Sequence, residues 1–178
     1  MAEEMLNHAK IEFEKYMKKW VINENRYLNG VDLGAGTARI DDMILSIDQQ
    51  PDYRYAHAQM VWDCSNLDLF ADQKLDFIFS SHVLEDFIDI PKVFYNWWQK
   101  LKPSGMMLLL LPDMEGGRYA KVGEGGNPSH RTNVGANFIK RMLEDFRKDG
   151  KLEYEMLQCD TIPHNESSSI DFVIKKLF

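Results

Sequence analysis

The chain has two cysteines, Cys64 and Cys159, in 178 residues. They are too few for a disulfide framework and are not spaced as zinc ligands, so both read as small buried apolar residues in a reducing compartment, and no metal is expected. Long apolar runs are missing too: no continuous stretch approaches the length a bilayer needs. The N-terminal "MAEEMLNHAK" is acidic and lacks the apolar run of a secretory signal. A cytoplasmic protein with no membrane insertion is expected. Positive charge is also short, because a formal charge of −7 repels a phosphate backbone. Extensive nucleic-acid binding is therefore not expected. Repeats, low-complexity tracts and linkers are absent as well. What is present is 44% apolar content in 178 residues, enough for one buried core and short for two. A single domain, 1–178, follows.

Met5, Leu6, Ala9, Phe13, Met17 and Trp20 recur every three or four residues and predict an amphipathic helix within 1–22 that caps the core. The period then changes. "YLNGVDL", "MILSID", "AQMVWD", "LDFIFSS" and "MMLLLLPD" are short apolar runs, each closing on small, acidic or hydroxyl residues. That pattern suits parallel strands buried on both faces, with polar groups at their carboxyl ends. Between the last two runs, Pro91 opens a helix on which Phe94, Trp97, Trp98 and Leu101 repeat before "KPSG" breaks the pattern. The two tryptophans read as core rather than as a ligand platform. A long glycine-rich stretch follows Asp113, and its length marks 114–135 as a functional loop. "ANFIKRMLEDFRKDG" predicts a further amphipathic helix closed by Gly150, and "LEYEMLQCDTI" with "SIDFVIKKLF" predicts two final strands as a hairpin. The order is that of a doubly wound α/β domain, in which ligands bind at the carboxyl ends of the strands.

The stretch "GVDLGAGTARI", residues 30–40, places Gly34 and Gly36 at the first strand-to-helix turn, where the backbone must turn tightly and approach a ligand. A dinucleotide fingerprint needs a third glycine where Arg39 stands, and an acid later than Asp48. A nicotinamide-dependent oxidoreductase is thereby disfavoured, though it shares the sheet and the turn.

From about Tyr27 onward the motifs resemble those of class I S-adenosylmethionine-dependent methyltransferases. The first motif stands as Asp32, Leu33, Gly34, Ala35 and Gly36, with Ala38 where a further glycine is frequent. The long segment "LDFIFSSHVLEDFIDIPKVFYNWWQKLKPSGMMLLLLPD" resembles the type 11 branch, with Asp86 in place of a histidine and Ser104 in place of a glycine. The resemblance implies a mostly parallel seven-stranded sheet ending in an antiparallel hairpin, with a cofactor-binding core at 28–113 and a final helix and strand pair at 136–178. It implies S-adenosyl-L-methionine as cofactor and S-adenosyl-L-homocysteine as product. Asp32 would face the sulfonium and amino group, and Asp48 the ribose hydroxyls. Asp63 and the Cys64 amide would meet the adenine. Gly34, Ala35 and Gly36 would form the loop, with Ser80 and Ser81 at the end of the neighbouring strand. Asp32 has an alternative use, accepting hydrogen bonds from its own turn. The short spacing from Gly34 to Asp48 leaves room for only a turn or so of helix in "ARIDDM".

Methyl transfer from a sulfonium needs the reactants held in line and, for a hydroxyl acceptor, a base. His82, directly after the fourth strand, is the first candidate, and His130, in "NPSHRTN", the second. Each has a plain alternative, as a turn or packing residue for His82 and a solvent-exposed one for His130. Asp113 and Tyr119 stand nearby in reserve. Where amino-group methyltransferases of nucleic acids carry N-P-P-Y, this chain reads "SHVL", Ser81 to Leu84, which disfavours nucleobase amines, and the resemblance to short members of the branch implies a small hydroxylated acceptor such as a sugar. A decayed, protein-binding relative of the family is the remaining alternative.

Overall fold

A computed structural model describes residues 2–18, 29–49, 58–116, 119–163 and 168–178. Trp20, Tyr27 and the end of the predicted 1–22 helix lie outside the described residues. Helix α1 (Ala2–Phe13) continues as a wider turn over Glu14–Lys18. The strands are β1 (Gly30–Leu33), β2 (Leu45–Asp48), β3 (Met60–Val61), β4 (Leu75–Ser81), β5 (Leu101–Pro112), β6 (Tyr154–Pro163) and β7 (Ser168–Lys176). Helix α2 (Ile90–Lys100) crosses from β4 to β5, and α3 (Ala136–Lys148) from β5 to β6. They form one seven-stranded sheet in the order β3-β2-β1-β4-β5-β7-β6. Strands β1 to β5 pair in parallel, and β7 runs antiparallel between β5 and β6.

The unbroken apolar run of β5 follows from burial on both faces. Met107, Leu109 and Leu111 join α2 and α3 in one core, while Met106, Leu108 and Leu110 join α1, Phe77 and Phe79 in the other. Alternate residues of a strand point to opposite faces, so a strand covered on both sides has no polar register to keep. Helix α2 is started by Asp89, whose carboxylate accepts the Lys92 amide at 3.1 Å, with Pro91 in the first turn. Its buried face carries Val93, Phe94, Trp97 and Trp98, so both tryptophans are core. At its other end the Leu101 amide donates to the Trp98 carbonyl, and the Lys176 ammonium donates to the carbonyls of Trp98 and Leu101.

Three expectations need correction. No helix forms in "ARIDDM"; the chain returns from β1 to β2 through turns. Asp32 captures the Ile40 amide at 2.9 Å and Asp41 captures that of Met43 at 2.7 Å, and such side-chain bonds compete with helix formation. The third strand shrinks to Met60–Val61, because Asp63 accepts the Ser65 amide at 2.8 Å and turns the chain out of the sheet. "KPSG" lies inside an irregular start of β5, where pairing jumps from Leu75↔Leu101 to Phe77↔Met106. Ser104 there has φ of 66°, a left-handed conformation that suits the glycine of related chains. Among the described residues no helix is long and apolar enough to cross a membrane.

Candidate active site

The glycine turn closes at the carboxyl ends of β1 and β2. The Gly34 amide donates to the Ile47 carbonyl at 2.7 Å, and that of Gly36 to the Asp48 carboxylate at 2.9 Å. Both glycines have positive φ, 71° and 52°. A Cβ on Gly34 would lie 2.0 Å from Cγ2 of Val83, so the turn passes directly against the segment that leaves β4. A Cβ on Gly36 would meet only the Gly34 carbonyl, at 3.9 Å. Ala38 is not among the residues of positive φ, so the turn does not require a glycine there.

Asp32 is buried under this turn with its carboxylate on the Ile40 amide. Burial pushes its pKa up to about 7, with the Asp48 charge adding to the effect and the Ile40 bond and Arg39 opposing it. Asp48 is buried at the end of β2, and Asp63 is exposed beyond β3. Cys64 lies among them: burial first, then the charges of Asp48, Asp63 and Asp32, push its thiol up to about 12. The three acids are thus neighbours around one buried thiol, although Asp32 also serves its own turn. The Cys64 carbonyl accepts the Trp97 indole N–H at 2.7 Å, which ties this edge to α2. Ser80 is buried and donates to the Leu33 carbonyl at 3.2 Å, Ser81 is half-buried, and Ala35 is buried beside them.

The second half of the site follows β4. His82 has φ of 55°, a strained conformation for a residue with a Cβ, and its amide still extends the ladder to the Leu110 carbonyl at 2.9 Å. Its ring lies 5.8 Å from that of Tyr119, whose hydroxyl faces the Met5 sulfur of α1 at 3.8 Å. His130, read alternatively as solvent-exposed, is buried at 6% exposure. The loop carrying it is held down by the Arg131 and Thr132 amides, which donate to the Glu85 carbonyl, and by Ser129, which donates to the Asp86 carboxylate at 2.8 Å. Asp86 therefore anchors the loop where related chains have histidine. Burial raises its pKa above the usual carboxylate range. Asp113 is buried and accepts the Gly116 amide at 2.9 Å, so it shapes the start of the loop.

Sequence reasoning missed Glu85. It is wholly buried in the short 3-10 turn Leu84–Asp86, with both histidines near its carboxylate. The available signal was an acid three residues after His82 in the apolar turn that leaves β4.

A nucleoside with a positively charged sulfur fits the donor set at the glycine turn. Buried carboxylates suit a cation and a diol, and the space where a Gly36 Cβ would stand is open. The sequence comparison agrees: residues 28–109 match the type 11 family described as a methyltransferase domain. The fold is similar to a Pyrococcus horikoshii protein at a TM-score of 0.68, with 16% identity over 98% of this chain and 91% of that one. It is similar to a SAM-dependent methyltransferase from Archaeoglobus fulgidus, with TM-score 0.62, 16% identity, and 96% and 94% coverage. It is also similar to the Burkholderia thailandensis 1,6-didemethyltoxoflavin-N1-methyltransferase with bound 1,6-didemethyltoxoflavin and S-adenosylhomocysteine, with TM-score 0.65, 12% identity, and 98% and 79% coverage. No curated protein matches the chain. Strand order, glycine turn and family match together define a class I S-adenosylmethionine-dependent methyltransferase. Within that class residues 28–109, a little under half of the chain, match the type 11 family, and the match together with the methyltransferase neighbours supports S-adenosylmethionine as the cofactor.

Proposed function

We propose that this enzyme methylates a small hydroxylated acceptor, with His82 as the general base and His130 behind it. The observation that carries the reading is the strained left-handed backbone of His82 at the carboxyl end of β4, one residue from the Val83 side chain that abuts Gly34. Strain of this kind persists where the surroundings over-determine it, as at active sites. The bound cofactor supplies an already activated methyl group. The chain supplies position and a proton acceptor. Gly34, Ala35 and Gly36 form the turn, Asp48 and Asp63 take the ribose and adenine edges, and Asp32 favours the cation by charge. His82 takes the acceptor's hydroxyl proton, and Tyr119 and Met5 close the acceptor side. A net charge of −7 and "SHVL" after β4 favour a small molecule over a nucleic acid. The Burkholderia neighbour binds a small molecule, which agrees. The two free cysteines suit a cytoplasmic setting.

The test is a methyl-transfer screen over sugars, hydroxy acids and small phenols, alongside calorimetry with S-adenosylhomocysteine. H82A is expected to lower turnover by about 100-fold or more while leaving cofactor affinity within a few-fold. H130A should show a smaller loss. Unchanged turnover in both variants would remove the histidines from the mechanism.

A further inference from the structure

Glu85 has no exposed surface, and neither of its carboxylate oxygens makes a hydrogen bond of good geometry among the described residues. A buried carboxylate left in that state is costly, so the groups nearest to it matter. Two lie within ion-pair reach: His82 Nδ1 and His130 Nε2, each 3.5 Å from the same oxygen, Oε1. The backbone fixes this meeting from both sides. The short turn after β4 sets Glu85 three residues from His82, and the Arg131 and Thr132 amides bind the Glu85 carbonyl at 2.9 and 3.1 Å, which brings His130 over the same side chain.

A neutral imidazole carries its proton on one nitrogen, and the partner of that nitrogen decides which. We infer that Glu85 is a positioning residue whose carboxylate, shared by two imidazoles, holds His82 as the Nδ1–H tautomer and His130 as the Nε2–H tautomer. The Nε2 lone pair of His82 is then the one left to take a proton. That last step rests on His82 as the base. The tautomer assignment does not.

The experiment is a two-bond 1H–15N correlation spectrum of the full chain, free of cofactor and acceptor, at a pH where the imidazoles are neutral. H82Q and H130Q identify the signals. Wild-type protein should show His82 protonated on Nδ1 and His130 on Nε2. E85M, which fills the space without an acceptor, should release His82 to the Nε2–H form. E85Q, which keeps an acceptor oxygen, should retain Nδ1–H. A wild-type His82 protonated on Nε2, or an E85M spectrum unchanged from wild type, overturns the assignment. Should E85M fail to fold, the wild-type tautomers alone decide it. The expected tautomers together with full turnover in H82A would support Glu85 in this role and remove His82 as base, so the two readings fail separately.

Discussion

The two halves of the sheet are built by different means. β1, β2 and β3 have four, four and two residues, whereas β4, β5, β7 and β6 have seven, 12, nine and 10. β4, β5 and β7 are held by apolar burial between α2 and α3 on one face and α1 on the other, a core that Val31, Leu33 and Ile47 of the short strands also enter, while β6 is largely exposed at the edge. The short ones are joined by turns that carboxylates close, Asp32 on Ile40, Asp48 on Gly36 and Asp63 on Ser65. Apolar burial supplies stability in proportion to area, but it leaves nothing for a polar ligand to hold. The acids that shape the short half are the same groups proposed to meet the cofactor. Stability and binding should therefore separate between the halves.

The largest effect is expected where the halves are joined. Trp97 is wholly buried in the long half, and its indole N–H reaches the Cys64 carbonyl of the short one. W97A should cost about 3–5 kcal/mol, a large part of the stability of a small domain. W97F keeps most of the ring but leaves that carbonyl unpaired, and should cost roughly 1–3 kcal/mol. Denaturant midpoints measure both, and a W97A midpoint equal to wild type would break the idea that this joint holds the halves together.

Next in size is the glycine turn. G34A drives a methyl group into Val83 and keeps a left-handed φ, so S-adenosylhomocysteine affinity should fall more than about tenfold, or 1.4 kcal/mol. G36A meets open space and should lose less. Adding V83A to G34A should restore part of the loss by removing the collision. No restoration would mean that backbone strain, not contact with the β4 side, governs the turn.

How much of this could be read in advance differs between the halves. The β5 run, the tryptophan helix and the final hairpin were legible because burial on fixed faces writes a period into the sequence. The glycine turn and the three strand-end acids were legible as motif. The lost helix after Gly36 was not, because its fate turned on Asp32 reaching eight residues ahead to Ile40. Glu85 was hidden for a similar reason: His130 lies 45 residues away, and only the folded loop brings the two together. Periodicity reports faces, while side-chain pairs across a loop leave no period.

Asp32 sharpens the comparison through pH. Its pKa is raised from 3.8 to about 7 by burial, so the folded state resists its ionisation. The contribution to stability is present below about pH 4 and is lost as pH rises through about 7. D32N, which keeps an acceptor for Ile40, should therefore gain on wild type in stability above that point. Once ionised, Asp32 attracts a sulfonium but not the neutral sulfur of S-adenosylhomocysteine. The preference for S-adenosylmethionine over S-adenosylhomocysteine should increase several-fold from about pH 6 to about pH 8 in wild type and stay flat in D32N. A flat wild-type ratio would confine Asp32 to its turn.

The smallest effect lies in the long half, away from the ligand. Ser104 holds φ of 66° at the irregular start of β5, where a residue with a Cβ pays about 1–2 kcal/mol. S104G removes that strain but adds freedom to the unfolded chain, which costs roughly 0.5–1 kcal/mol. The net should be a gain of no more than about 1 kcal/mol, or a few degrees in Tm for a chain of this size. Cofactor affinity should not move, because the site sits at the opposite end of the strands. A gain in Tm with unchanged S-adenosylhomocysteine affinity keeps stability and binding separable between the halves, whereas a matching change in affinity would show that the long strands transmit strain to the glycine turn.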